Sequence, residues 1–202
     1  MTPFTKYCVK KLISKNADII NKTAIKNCHV SGLHSFILNY EPKIRLFLAD
    51  ETCALRKPFD YKNPYLTIHA HRHNDIFIPL TETKIIHHLY KKVDFTDENS
   101  VNFRLNMYNR LNIANKEHMA GITGGSDWLE YIGPSTKPFL KAKELHTVNI
   151  LGSKKCAWII IEIGTDDTFE QLSYGGEQIS SDCYQKFNDP IKYIFDFLDL
   201  QN

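Results

Sequence analysis

The chain has 202 residues, with 25 Lys and Arg against 23 Asp and Glu, for a formal net charge of +2. That length suffices to bury roughly 70% of the unfolded surface in one domain, with no disulfide framework needed. Near-balanced charge excludes a nucleic-acid surface or a polybasic membrane anchor, and the longest apolar run, Cys156 to Ile161, is too short to span a bilayer.

In chain order, Val9, Leu12, Ile13 and Ile20 lie on one face of a first predicted helix, with Thr2 or Thr5 as cap. Lys6, Lys10 and Lys11 break up this region, so it lacks the apolar stretch of a secretory signal. Leu33, Phe36, Ile37 and Tyr40 follow the i, i+3, i+4, i+7 pattern of a second helix, capped by Ser31 and closed by Pro42. Short segments rich in Ile, Val, Phe, Tyr and Thr follow at 44–48, 66–71, 76–80, 84–90, 101–107 and 156–163. Turn signals separate them, among them Asn63-Pro64, Asn74-Asp75, Gly124-Gly125, Gly133-Pro134 and Gly152-Ser153. This spacing predicts a mainly β sandwich or small barrel. The polar stretch 164–188 reads as a wrap-around segment. It leads to a last helix with Asp189 as cap, Pro190 in its first turn, and an apolar stripe of Ile191, Ile194, Phe195 and Leu198.

The five cysteines (Cys8, Cys28, Cys53, Cys156 and Cys183) form no close pair and read as reduced thiols in a cytoplasmic compartment. The nine histidines carry more information. On an extended strand His69, His71 and His73 share one face, opposite Ile68, Ala70 and Arg72, and neighbours on that face are about 7 Å apart. Imidazoles so spaced can converge on a metal, but a site needs at least a third ligand from elsewhere. His146, entering an apolar strand after a long loop, is the best candidate, and Asp75, four residues beyond His71, can complete the set. His87 and His88 are adjacent, so they point to opposite faces. One can reach the interior as an outer hydrogen-bond donor, though cross-strand packing is the more ordinary role. His29, His34 and His118 have no evident partner. Gly121 to Gly125 and Gly175-Gly176 lack P-loop and dinucleotide contexts, and Asp166-Asp167 lacks calcium-loop spacing. Cys156 beside Trp158 reads as a buried inert thiol, and the aromatics, Tyr108 and Tyr131 included, as core.

A His-x-His on a strand, an acid four residues later and a distant His on a later strand resemble the cupin superfamily, over about residues 44–164. In its first motif a Gly stands six residues before His-x-His, an acid follows, and a Gly closes. Here Asn63 and Glu82 occupy the Gly positions, and the acid is Asp75. In the second motif Pro-x-Gly precedes the His and an Asn follows four residues later. Around His146 those positions are Lys141, Lys143 and Ile150, with Asn149 one residue early.

Within the superfamily the chain looks most like the thiol dioxygenase branch. That resemblance implies Fe(II) held by three neutral histidines, here His69, His71 and His146, with open positions for substrate and dioxygen. It also implies an Arg on an upstream strand as anchor for a substrate anion, here Arg45. The branch's Cys–Tyr crosslink has no match, since Ile76 lies five residues after His71.

The expected architecture is therefore one domain: a helical segment over 1–43, a cupin-type double-stranded β-helix barrel over 44–164, and a wrap-around segment with a C-terminal helix over 165–202. The expected activity is Fe(II)-dependent dioxygenase chemistry on a small molecule. Asp75 or His73 serves as a fourth ligand or a base, and the chain assembles as a homodimer without nucleic-acid or membrane partners. The alternatives are a non-redox isomerase, epimerase or hydrolase using zinc, manganese or nickel, and a non-catalytic module that binds a ligand or protein.

Overall fold

A computed structural model describes residues 1–94, 96–107, 122–165, 172–175 and 183–201. Tyr108, His118, Gly121, Asp166, Asp167 and Gly176 lie outside these residues.

The first predicted helix forms as two, α1 (Pro3–Lys15) and α2 (Ala17–Thr23). Thr2 caps α1, its hydroxyl accepting from Thr5 N at 3.1 Å. Asn16 divides the pair because its side-chain amide donates to Leu12 O and its backbone N–H to Ile13 O. This is the local competition that makes Asn a poor interior helix residue. Val9, Ile13 and Ile20 are buried as the stripe predicts.

The second predicted helix is a strand. β1 (Leu33–Tyr40) pairs antiparallel with β2 (Lys43–Ala49) across a turn that contains the cis Glu41–Pro42 peptide. Leu33, His34, Ser35 and Phe36 are all buried, so no in–out alternation marks the strand, and the same apolar positions also satisfy a helical repeat. A short 3-10 turn, Ala54–Arg56, follows. The remaining strands are β3 (Ile68–His69), β4 (Asn74–Pro79), β5 (Thr83–Val93), β6 (Ser100–Met107), β7 (Ile122–Ser135), β8 (Phe139–Leu140), β9 (Leu145–Gly152), β10 (Cys156–Ile163) and β11 (Leu172–Tyr174). The helix α3 (Pro190–Leu198) ends the chain, with Asp189 Oδ1 accepting from Lys192 N at 2.9 Å.

The chain is thus mainly β, with two antiparallel sheets and three helices. One sheet has the order β1-β2-β10-β4-β8, and the other, β11-β3-β9-β5-β7-β6, closes on itself where β11 pairs with β6. In the first sheet the central strands are covered on both faces. Leu46, Leu48, Ala157 and Ile159 meet the helical residues Val9, Ile13, Ile194 and Phe197 on the outer face. Phe47, Ala49, Cys156 and Trp158 point the other way, into the space between the sheets, with Phe77, Leu140 and Ile150. Phe47 and Trp158 are register partners whose rings stack at 5.5 Å. Burying each of these side chains contributes about 1.5–3 kcal/mol, which fixes the two sheets face to face. Double coverage is also why β2 and β10 read as nearly continuous apolar runs. Among the described residues, no helix is long and apolar enough to cross a membrane.

Candidate metal centre

Strand alternation decides which side chains enter the space between the sheets. On β9, Ile150 and Val148 face that space, and His146 shares their side. On β5, Ile85 and Leu89 do so, and with them His87. From the opposite sheet Phe77 enters on β4, and Asp75 two residues before it. On β2 and β10 the same rule brings in Arg45 and Glu162. The polar end of the intersheet space is thereby assembled from both sheets.

His69 and His146 sit side by side because β3 pairs with β9 in the register His69↔His146. The expected 66–71 strand is much shorter than its apolar pattern suggests. The chain leaves the sheet after His69, bends at Arg72–His73, and joins the other sheet as β4. This crossing brings His71 back onto the same point, and its carbonyl is held by Lys143 N at 2.9 Å, three residues before His146. The ring centroids of His69, His71 and His146 are 4.7 to 4.9 Å apart. One nitrogen from each lies within 4.8 Å of the others. His73, at the bend, does not join them. Its Nε2 lies 3.3 Å from both Asp75 Oδ1 and Glu162 Oε2, so the expectation of three histidines on one strand face is corrected.

The hydrogen bonds orient these rings for ligation. His69 Nδ1 bonds Thr67 O at 2.9 Å, His146 Nδ1 bonds Glu144 O at 3.0 Å, and His71 Nδ1 bonds the Asp75 carboxylate. Each acceptor is an oxygen, so each Nδ1 carries the proton and each Nε2 presents a lone pair. His69 Nε2 and His71 Nε2 face each other at 3.0 Å. Facing lone pairs repel, and a cation between them converts that repulsion into coordination. Two nitrogens bound at ~2.1 Å to one ion at a right angle stand about 3.0 Å apart, so the donor set fits a divalent transition metal.

Burial favours the neutral, ligating form. It lowers His69 to about 3, helped by His71, and pushes His146 well below the usual histidine range, helped by His69 and His71. For Asp75, burial pushes the carboxyl up, but hydrogen bonds from His71 and His73, with their charge, outweigh it and hold the group at about 2. Asp75 is fully buried, with one oxygen bonded to His71 Nδ1 and the other lying 3.3 Å from His73 Nε2. It is placed as the support of His71 rather than as a member of the three-histidine group. His71, His73 and Asp75 form a second set of neighbouring donors that shares two members with that support.

Arg45 faces this end of the interface, and its Nε lies 2.9 Å from Glu162 Oε1, while Lys43 Nζ lies 3.0 Å from Glu162 Oε2. Its charge is thus engaged by Glu162. The sequence offered no sign of Glu162, a lone acid at the end of an apolar strand; the register Glu162↔Asp75 is what makes it a neighbour of the site. Two histidines read as partnerless have partners. His34 lies on β1, its Nε2 3.3 Å from Asp50 Oδ2, and His29 Nδ1 is 2.6 Å from the Tyr184 hydroxyl.

His87 and His88 do point to opposite faces. His88 stacks on Phe59, with centroids 3.3 Å apart, and bonds the Tyr131 hydroxyl at 2.9 Å. His87 faces the intersheet space, with its ring 4.4 Å from Phe77 and 5.5 Å from His146.

No family model matches the chain, and no curated protein or solved structure matches it. The geometry of the site therefore carries the functional argument.

Proposed function

We propose that the chain is a metal-dependent enzyme of cupin type that acts on a small molecule, with Fe(II) held by His69, His71 and His146 and dioxygen as the oxidant. The observation that carries this reading is the convergence of one nitrogen from each of three histidines, all of whose Nδ1 atoms bond oxygen acceptors. When bound, iron supplies the redox chemistry and the open coordination positions. The three neutral imidazoles would hold it without adding negative charge. Asp75 fixes the ring of His71, and His73 with Glu162 holds Asp75 in place.

Strand order supports the cupin reading. With β1, β6 and β11 set aside, the sheets run β2-β10-β4-β8 and β3-β9-β5-β7. Each sheet interleaves early and late strands, as the two Greek keys of a jelly roll do. The histidines would then lie inside the roll, on the third and ninth strands and the crossing between sheets.

The test needs no substrate. Protein purified without chelators is analysed for bound metal, and the Fe(II)-loaded protein is exposed to nitric oxide without oxygen. The reading predicts one divalent ion per chain and an electron paramagnetic resonance signal from nitric oxide on iron. Bound zinc with no nitric oxide signal after iron loading would instead place the site among non-redox metal enzymes.

A further inference from the structure

The structure holds a buried imidazole that the three-histidine centre does not use. His87 is 2% exposed, and neither of its ring nitrogens has a hydrogen-bond partner among the described residues. Leaving both polar atoms of a buried ring unsatisfied is costly, and proteins retain such groups where a ligand completes them. Phe, with a similar volume, would fill the same place beside Phe77 without that cost.

His87 also lines two adjoining clefts of about 160 and 190 Å³, and Lys137 lines both with it. Lys84 stands at the first and Lys141 at the second. One acid, Glu144, also lines the second cleft, its carboxylate accepting from the backbone N–H of Lys141 at 2.7 Å, so the three lysines exceed the acid by two charges. None of these three lysines has an ion-pair partner among the described residues, whereas Lys43 and Arg45, on the other side of the site, share Glu162 as an ion-pair partner. An excess of positive over negative charge therefore lies on the cleft side of His146. A neutral imidazole offers one N–H and one lone pair, so His87 can donate to an anion and accept from a neighbouring hydroxyl or amine.

We propose that these clefts form the binding site for a small organic carboxylate, with the His87 ring donating a hydrogen bond to it and Lys137 neutralising its charge. The site adjoins the metal centre through the contact between His87 and His146, so the carboxylate is a part of the substrate. This rests on the metal-centre reading for its role, but not for its existence.

The test uses acetate, propionate and lactate, each beside its neutral amide, titrated into the full chain with and without metal. Imidazole signals of histidine-labelled protein are followed by nuclear magnetic resonance, and bound metal is measured in parallel. Wild type should bind the carboxylates at least about tenfold more tightly than the amides, the ratio expected for a charge-assisted hydrogen bond. Lys137→Met should remove that preference and leave amide binding unchanged. His87→Phe should lose both, while keeping its metal and showing a higher melting temperature. Equal binding of carboxylate and amide, no binding of any carboxylate, or an unchanged preference in Lys137→Met would overturn the proposal. A charge preference in protein that takes up no metal would uphold the cleft and refute the metal centre, and bound metal without the preference would do the reverse.

Discussion

Replacing Asp75 by Asn removes the charge that holds His71 while preserving the shape of the side chain. Asp75 is fully buried, with one oxygen on His71 Nδ1 and the other 3.3 Å from His73 Nε2. An Asn there supplies at most one acceptor oxygen and brings an amide that must find its own partners. Outer partners of metal-bound histidines are worth about 10–100-fold in metal affinity. The carboxyl sits at about 2, against an ordinary 3.8, and that difference converts to about 2 kcal/mol of stability in the metal-free protein. The sign follows from proton binding. Between those two values the unfolded chain holds the proton and the folded one does not, so the contribution is complete above 3.8 and disappears as pH falls through 2. Competition with a calibrated chelator should show metal bound about 10–100-fold more weakly by Asp75→Asn. Urea titration of the metal-free proteins at neutral pH should show the stability gap, and the gap should close below pH 2. Wild-type metal affinity in the variant would refute the claim that this carboxylate orients a ligand.

Three further outcomes are expected. His87→Phe should raise stability by about 1–3 kcal/mol in thermal or urea unfolding, because it removes buried polar atoms without partners; a loss of that size would mean the ring has a structural bond. Burial lowers His88 to about 4, so between 4 and 6.5 the unfolded chain binds the proton that the folded chain refuses. Metal-free wild type should therefore lose stability relative to His88→Phe as pH falls through that window, by at most about 3 kcal/mol, and the difference should be flat above it. Gly32 has φ +74°, and a Cβ there would lie 2.6 Å from both Asp50 Oδ1 and Cys53 N. Gly32→Ala should cost more than about 1–2 kcal/mol, since the left-handed strain alone is of that size, and a neutral result would mean the β1–β2 region repacks freely.

The three-histidine cluster was legible because His69 and His71 are spaced for a common target and His146 opens a strand. What sequence could not show is the register that sets His69 against His146, or the bend that turns His71 inward and His73 away. Of the strands, β10 matched its predicted limits, and β2, β4, β5 and β6 came within a few residues of theirs, because turn residues bound each apolar run. In β1, burial on both faces erased the alternation, and a helical repeat remained. The long strand β7 was concealed by Gly124-Gly125 and Gly133-Pro134, read as turns although Pro134 lies in the ladder opposite His88. Glu162 and the His87 ring, without a hydrogen-bond partner among the described residues, needed three dimensions, since neither belongs to a motif.

Metal content tests the account most directly. Wild-type protein and the double variant His69→Ala with His146→Ala should be purified side by side and analysed for bound transition metal. The account predicts about one ion per wild-type chain and none in the folded double variant. Equal metal in both, or none in wild type even after loading with Fe(II) or Zn(II), would contradict it.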